Sequence, residues 1–126
     1  MTNIQQLTYL AGFIDGEGCL TTSKDKGWCR PRITISNTNE LILRWIKMLF
    51  GGNVYAVKRR TPKLGLKADY IWIIVCNQAI ALVECLLPYL KVKQKEARKL
   101  VLFKAANKEE SQILAIQLSK LKRAGI

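Results

Sequence analysis

The run Leu10-Ala11-Gly12-Phe13-Ile14-Asp15-Gly16-Glu17-Gly18 is the most informative part of this chain. Leu7, Leu10, Ala11 and Ile14 recur with helical spacing, and Thr2 or Asn3 can cap the start. Gly16 and Gly18 are expected to stop this helix, because glycine accepts the left-handed backbone that closes one. Asp15 and Glu17 then fall at a helix C-terminus, where the macrodipole already gathers negative charge and each exposed acid costs about 0.3–1 kcal/mol. A divalent cation offsets that cost. It prefers carboxylate and carbonyl oxygens, and a last-turn carbonyl such as that of Gly16 is free to ligate. Taken alone, the two acids also read as a plain acidic turn. Ala11-Gly12 adds a second signal, since glycine inside a helix costs about 0.5–1 kcal/mol relative to alanine unless another backbone comes close. Nothing else in the chain repeats the pattern, so the expected partner is a second copy of the same helix, contacted through Leu10, Ala11, Gly12 and Ile14.

Downstream, Cys19 to Ser23 and Cys29 to Asn37 alternate with the period of strands that have one wet face, with Lys24-Asp25-Lys26-Gly27 as the hairpin loop. After Asn37 the period becomes helical, with Leu41, Trp45, Met48 and Leu49 on one side, Arg44 and Lys47 on the other, and Gly51-Gly52 at the end. Asn53 to Arg60 and Asp69 to Val75 form a second strand pair around a basic loop. A helix follows from Asn77, a plausible cap, to Leu87, closed by Pro88, with further helices over Gln94 to Ala106 and Glu109 to Arg123. The order α-β-β-α-β-β-α-α-α places four antiparallel strands under helices that cover one face. The other face is left for something polar.

Composition bounds the function. The chain has 126 residues, enough for one domain (1–126), and 21 Lys+Arg against 9 Asp+Glu give a net charge of +12. Its 49% hydrophobic content excludes a disordered basic tail. The absence of histidine removes Ser/His, Cys/His and His-ligated metal mechanisms. Such a charge excess points to a polyanion. No apolar stretch reaches the roughly 18 residues of a membrane span, and Met1 to Leu10 lacks a signal-peptide pattern, so a soluble, intracellular protein of the cytoplasm or an organelle matrix is expected. Cys19, Cys29, Cys76 and Cys85 stand singly and read as buried free thiols of a reducing compartment. Eleven bases against Asp25 and Glu40 between Lys24 and Lys67 put +9 on the strand-and-loop half, and the wet sheet face is therefore expected to be the basic one.

Leu10 to Gly18, LAGFIDGEG, resembles the LAGLIDADG motif of homing endonucleases, and Pro88-Tyr89-Leu90-Lys91-Val92-Lys93-Gln94-Lys95 is similar to a second block in their small, single-motif, organellar-intron branch. The similarity runs from about Leu7 to Phe103 in the same element order. It implies an α+β fold of αββαββα type with a four-stranded antiparallel saddle sheet, helices on the opposite face and extra C-terminal helices. It also implies a homodimer whose motif helices pack at the centre while each sheet lies in the major groove of double-stranded DNA. By this resemblance Glu17 binds the catalytic divalent ions with the Gly16 carbonyl, and Lys93 approaches the scissile phosphate. Asn37 lies near the nucleophilic water, and Asp15 closes the helix. Glu17 stands where Asp is commoner in the motif, and Leu41 where the family tends to have a base, so Arg44 substitutes or that function is missing. The implied cofactor is Mg²⁺, with Mn²⁺ substituting and Ca²⁺ binding without supporting cleavage.

Hydrolysis of both DNA strands, one per half-site, follows from these parts, with a cation-activated water as nucleophile and Lys93 stabilising charge at the phosphorus. For base readout, Arg30, Arg32, Thr34 and Ser36 share one strand face, and Ser23, Tyr55, Arg59, Lys67 and Asp69 join them by phase. Tyr70 and Trp72 share the phase of Ile74 and belong to the core. The alternative on the same fold is a non-cleaving DNA-binding regulator or an intron RNA-binding splicing maturase. A plain basic RNA-binding module is weaker, because it leaves Ala11-Gly12 with no dimer to serve. Retention of Glu17, Lys93, Gly16 and Gly18 favours cleavage.

Overall fold

A computed structural model of the chain describes residues 3–57 and 69–124. Helix α1 (Ile4–Glu17) leads into strands β1 (Gly18–Asp25) and β2 (Trp28–Asn37), then α2 (Glu40–Phe50), β3 (Asn53–Val57) and β4 (Asp69–Val75). Helices α3 (Cys76–Leu86), α4 (Gln94–Val101) and α5 (Lys108–Ala124) follow, joined by single 3₁₀ turns at Leu87–Tyr89 and Leu102–Ala105. The expected αββαββα order with C-terminal helices is the one present. The four strands form one antiparallel sheet in the order β1-β2-β4-β3.

Asn3 starts α1 with a capping box: its side chain accepts the Gln6 N–H at 2.7 Å, and the Gln6 side chain accepts the Asn3 N–H at 3.4 Å. The far end differs from expectation. The helix passes straight through Gly16 to Glu17, and β1 begins at Gly18 with no loop between. Gly18 is extended (φ −86°, ψ 167°) and not left-handed. It must be glycine for a different reason, since a Cβ there would lie 2.8 Å from Ile14 Cα and 3.0 Å from its carbonyl oxygen. The β1–β2 connection is also tighter than expected. Only Lys26 (φ 51°) and Gly27 (φ 85°) remain outside the strands, as a two-residue turn of the kind that follows the twist of a hairpin.

Alternation sorts the sheet into two faces. Leu20, Ile33, Ile35, Trp72 and Ile74 point inward and are buried, as expected from the phase of Trp72 and Ile74. They pack with Leu10 and Ile14 of α1, Leu43 and Ile46 of α2, Val83 and Leu86 of α3 and Leu100 of α4 in one core. Trp72 meets its polar requirement by donating its indole N–H to the Gly51 carbonyl at 2.8 Å. Helix α5 is tied to the β1–β2 hairpin through the buried Ser111, whose hydroxyl accepts the Cys29 N–H at 3.1 Å, and through Gln112, which donates to the Gly27 carbonyl at 2.6 Å.

Three further expectations are corrected. The buried stripe of α2 is Leu43 and Ile46, while Leu41 and Met48 are exposed, because a rotation of the helix puts Ile42 and Trp45 at the rim of the core. Helix α3 begins at Cys76, which takes φ 57°, directly from Val75 and without a side-chain cap, so Asn77 is not its cap. Of the four cysteines only Cys29 is buried. Among the described residues no helix is long and apolar enough to cross a membrane.

The junction at Gly18 is directly testable by denaturation in urea. Gly18→Ala should lose about 1–3 kcal/mol by overpacking Ile14, whereas Gly16→Ala, whose Cβ meets nothing within 4 Å, should be neutral or gain up to about 1 kcal/mol.

Candidate active site and nucleic-acid interface

The C-terminus of α1 delivers Asp15, Gly16 and Glu17 to the point where the sheet begins. Asp15 is turned into the protein. Its carboxylate accepts the backbone N–H of Lys91 at 2.7 Å and that of Lys93 at 3.0 Å, and so holds the turn that enters α4. Lys93 in turn donates its ammonium to the Asp15 carbonyl at 2.8 Å, a position where a cation also suits the helix dipole. Each oxygen of the Asp15 carboxylate thus accepts one backbone N–H, and the side chain joins the end of α1 to the entry of α4. This agrees with a helix-closing role.

Glu17, the last residue of α1, is exposed. Its carboxylate accepts the Asn37 side-chain N–H at 2.9 Å. The Asn37 amide oxygen accepts the Asn39 N–H at 2.8 Å, and the Asn39 side chain accepts the Ile42 N–H at 3.2 Å at the start of α2. The two ends of the Asn37 amide are therefore committed to partners of opposite kind, so its NH₂ group must face Glu17. Arg44 is bound by Glu40 at 2.7 Å along α2, while Leu41 is 79% exposed. Among the described residues no group of three or more Asp, Glu, Cys or His side chains could hold a metal ion. A hard cation takes about six or more oxygens. One copy of the chain offers it the Glu17 carboxylate and helix-end carbonyls such as that of Gly16.

The outer sheet face carries Ser23 on β1, Arg30, Arg32, Thr34 and Ser36 on β2, Tyr55 on β3 and Asp69 on β4, as their phase predicts. Arg30 is fixed by Asp25 at 3.5 Å and lies over the Trp28 ring at 5.4 Å. Thr34 is 9% exposed and forms the floor of the face. Arg59 and Lys67 lie outside the described residues. Between the polar strands runs a row of Ile71, Ile73 and Val75, which the unbroken apolar run Ile71-Trp72-Ile73-Ile74-Val75 hid from an alternation reading.

A family model described as LAGLIDADG endonuclease matches residues 10–110. The chain belongs to this family of nucleases. Nothing among curated proteins matches it. The homing endonuclease I-CvuI, solved in complex with its target in the presence of Ca, is 25% identical, with a TM-score of 0.76 over 93% of this chain and 82% of that one. A second I-CvuI structure, with the I-CreI target and Mg and with DNA not cleaved, gives 22% identity and a TM-score of 0.73 over the same shares of the two chains. The archaeal intron-encoded homing endonuclease I-Vdi141I, complexed with DNA, is 23% identical, with a TM-score of 0.64 over 92% and 83% of the two chains. The α+β LAGLIDADG fold is the fold of this protein.

The LAGLIDADG helix requires one correction. Leu10, Ala11 and Ile14 are 0% exposed within a single copy, so they are core residues and present no surface to a partner. The exposed residues of the helix are Ile4, Gln5, Thr8, Tyr9, Gly12 and Gly16, with Glu17 at its end. Of the four contacts expected, only Gly12 lies outside.

The two acids of this helix should separate in mutants. Asp15→Ala leaves two backbone donors without acceptors and should cost about 1–3 kcal/mol, seen as a lower urea midpoint. Glu17→Gln removes an exposed charge from the wrong helix end and should leave stability unchanged or raise it by up to about 1 kcal/mol.

Proposed function

We propose that the protein is a site-specific double-strand DNA endonuclease that acts as a homodimer with divalent cations. The observation that carries this reading is the exposed Glu17 carboxylate, oriented by Asn37 at a helix end where its neighbour Asp15 is fully engaged by backbone N–H groups. A helix end selected for stability alone gains nothing from this acid.

The homodimer is supported by the shortage of oxygen ligands in one copy and by the outer face of α1. A Cβ on Gly12 meets nothing within 4 Å, so the helix is open there to the backbone of a second α1. Beside it an apolar groove of about 460 Å³ is lined by Gln5, Gln6, Tyr9, Ile42 and Trp45. The I-CvuI and I-Vdi141I structures are complexes with DNA, which supports duplex DNA as the ligand of the outer sheet face.

The donor set is all oxygen, which fits Mg²⁺ or Mn²⁺ once two copies and a phosphate contribute. Glu17 and the Gly16 carbonyl would hold the ion. Bound there, it supplies Lewis-acid polarisation of the phosphoryl oxygens and makes water a stronger nucleophile. Asn37 donates to the Glu17 carboxylate and restrains its orientation. Lys93 has three N–H donors and spends one on the Asp15 carbonyl, leaving two for a phosphate oxygen where charge builds in the transition state.

Sites enriched from a randomised duplex pool, cloned in a plasmid, provide the assay. Linear product is expected with Mg²⁺ and Mn²⁺ but not with Ca²⁺ or EDTA. Glu17→Gln should bind without cutting, and Lys93→Met should lower the cleavage rate by about 10²–10³-fold. Binding by the unaltered protein with no cutting in any divalent ion would instead favour the DNA-binding regulator. In sedimentation, Gly12→Leu should keep the fold, since the space is open in one copy, and convert the dimer to monomer. A monomeric unaltered protein, even on DNA, overturns the dimer.

A further inference from the structure

The outer sheet face contains an apolar row where a solvent-facing strand would carry polar groups. Ile71, Ile73 and Val75 of β4 lie on this face, opposite Ser36, Thr34 and Arg32 of β2. On the other side Tyr55 and Asn53 of β3 face Ile71 and Ile73. Val75 is 40% exposed and Ile71 and Ile73 are half-buried, whereas the buried residues of β4, Trp72 and Ile74, lie on its opposite face. β4 is an inner strand, so the row is not a protected edge. Arg30 and Arg32 on the neighbouring strand give the face its described cations, and the Arg32 Nε is buried with no hydrogen-bond partner.

In the major groove the one apolar group on a base edge is the C5-methyl of thymine. A strand repeats its side-chain direction every two residues, about 6.6–6.8 Å, which is the rise of about two base pairs at roughly 3.4 Å each. A row of three same-face residues on a strand running along the groove is therefore spaced for alternate base pairs. Resting on the DNA-binding reading above, we infer that Ile71, Ile73 and Val75 read the C5-methyl groups of thymines at about every second base pair of each half-site, flanked by Arg32 at a guanine or phosphate. These three residues determine specificity and do not touch the scissile phosphate.

The test uses duplexes enriched from the randomised pool, remade with deoxyuridine in place of each thymine in turn. The exchange removes one methyl and leaves every hydrogen bond of the base. Each methyl read by β4 should contribute about four-fold in Kd (about 0.8 kcal/mol), with sensitive positions two apart. Val75→Ser removes the methyl contacts and should bind the thymine and deoxyuridine duplexes equally at one of these positions, and Ile73→Ser should do so at the next. Enriched duplexes that the unaltered protein binds equally with thymine and deoxyuridine overturn this inference and leave DNA binding intact. A pool that yields no enriched duplex overturns the DNA-binding reading and this inference with it.

Discussion

The carboxylate of Asp15 is the constraint on which the site depends. By accepting two consecutive-turn N–H groups, at Lys91 and Lys93, it fastens the last turn of α1 to the entry of α4. Charge-assisted bonds of this kind are about twice as strong as neutral ones, and they join elements from the two ends of the sequence. The same contact brings the Lys93 ammonium onto the Asp15 carbonyl, so both ends of the lysine are held at the end of α1. Of the two acids at this helix end, Asp15 is a fastener, while Glu17, two residues on, is exposed and accepts only the Asn37 side chain among the contacts described.

Glycines divide in the same way. Gly18 is there because Ile14 leaves no room for a side chain, a packing requirement. A Cβ on Gly12 would meet nothing within 4 Å in a single copy, so no crowding at that position within the described residues explains it. The energetic loss of glycine in a helix at position 12 has no internal compensation, and that imbalance, more than the identity of the motif, argues for a second backbone.

Much of the architecture was legible from residue periodicity. Alternation in Arg30 to Ser36 and the phase shared by Trp72 and Ile74 assigned both faces of the sheet correctly, because a two-residue period admits only two answers. Helical phase was less secure. In α1 the small and large residues of the motif read alike as one interface, whereas Leu10, Ala11 and Ile14 turn inward and Gly12 outward, since every 100° of rotation separates neighbours that look alike in composition. The same ambiguity misplaced the buried side of α2. The clamp at Asp15 spans 76 and 78 residues, and no local pattern encodes it. The apolar row on β4 escaped notice because an inward and an outward apolar set, interleaved, read as one continuous hydrophobic strand. Resemblance to a family located Glu17, Asn37 and Lys93; their geometry explains why each is held where it is.

The long span of the Asp15 contacts also bears on how the protein is made. A hairpin such as β1–β2 can close as soon as its residues exist, whereas loop closure over a long intervening chain carries an entropic cost that rises with length. The carboxylate waits for backbone donors that follow all four strands and α3 in the chain. On a ribosome, the acidic helix end is therefore secured only when most of the domain has emerged. A truncated product stopping before Lys91 carries Glu17 and Asn37 but leaves Asp15 without its backbone donors.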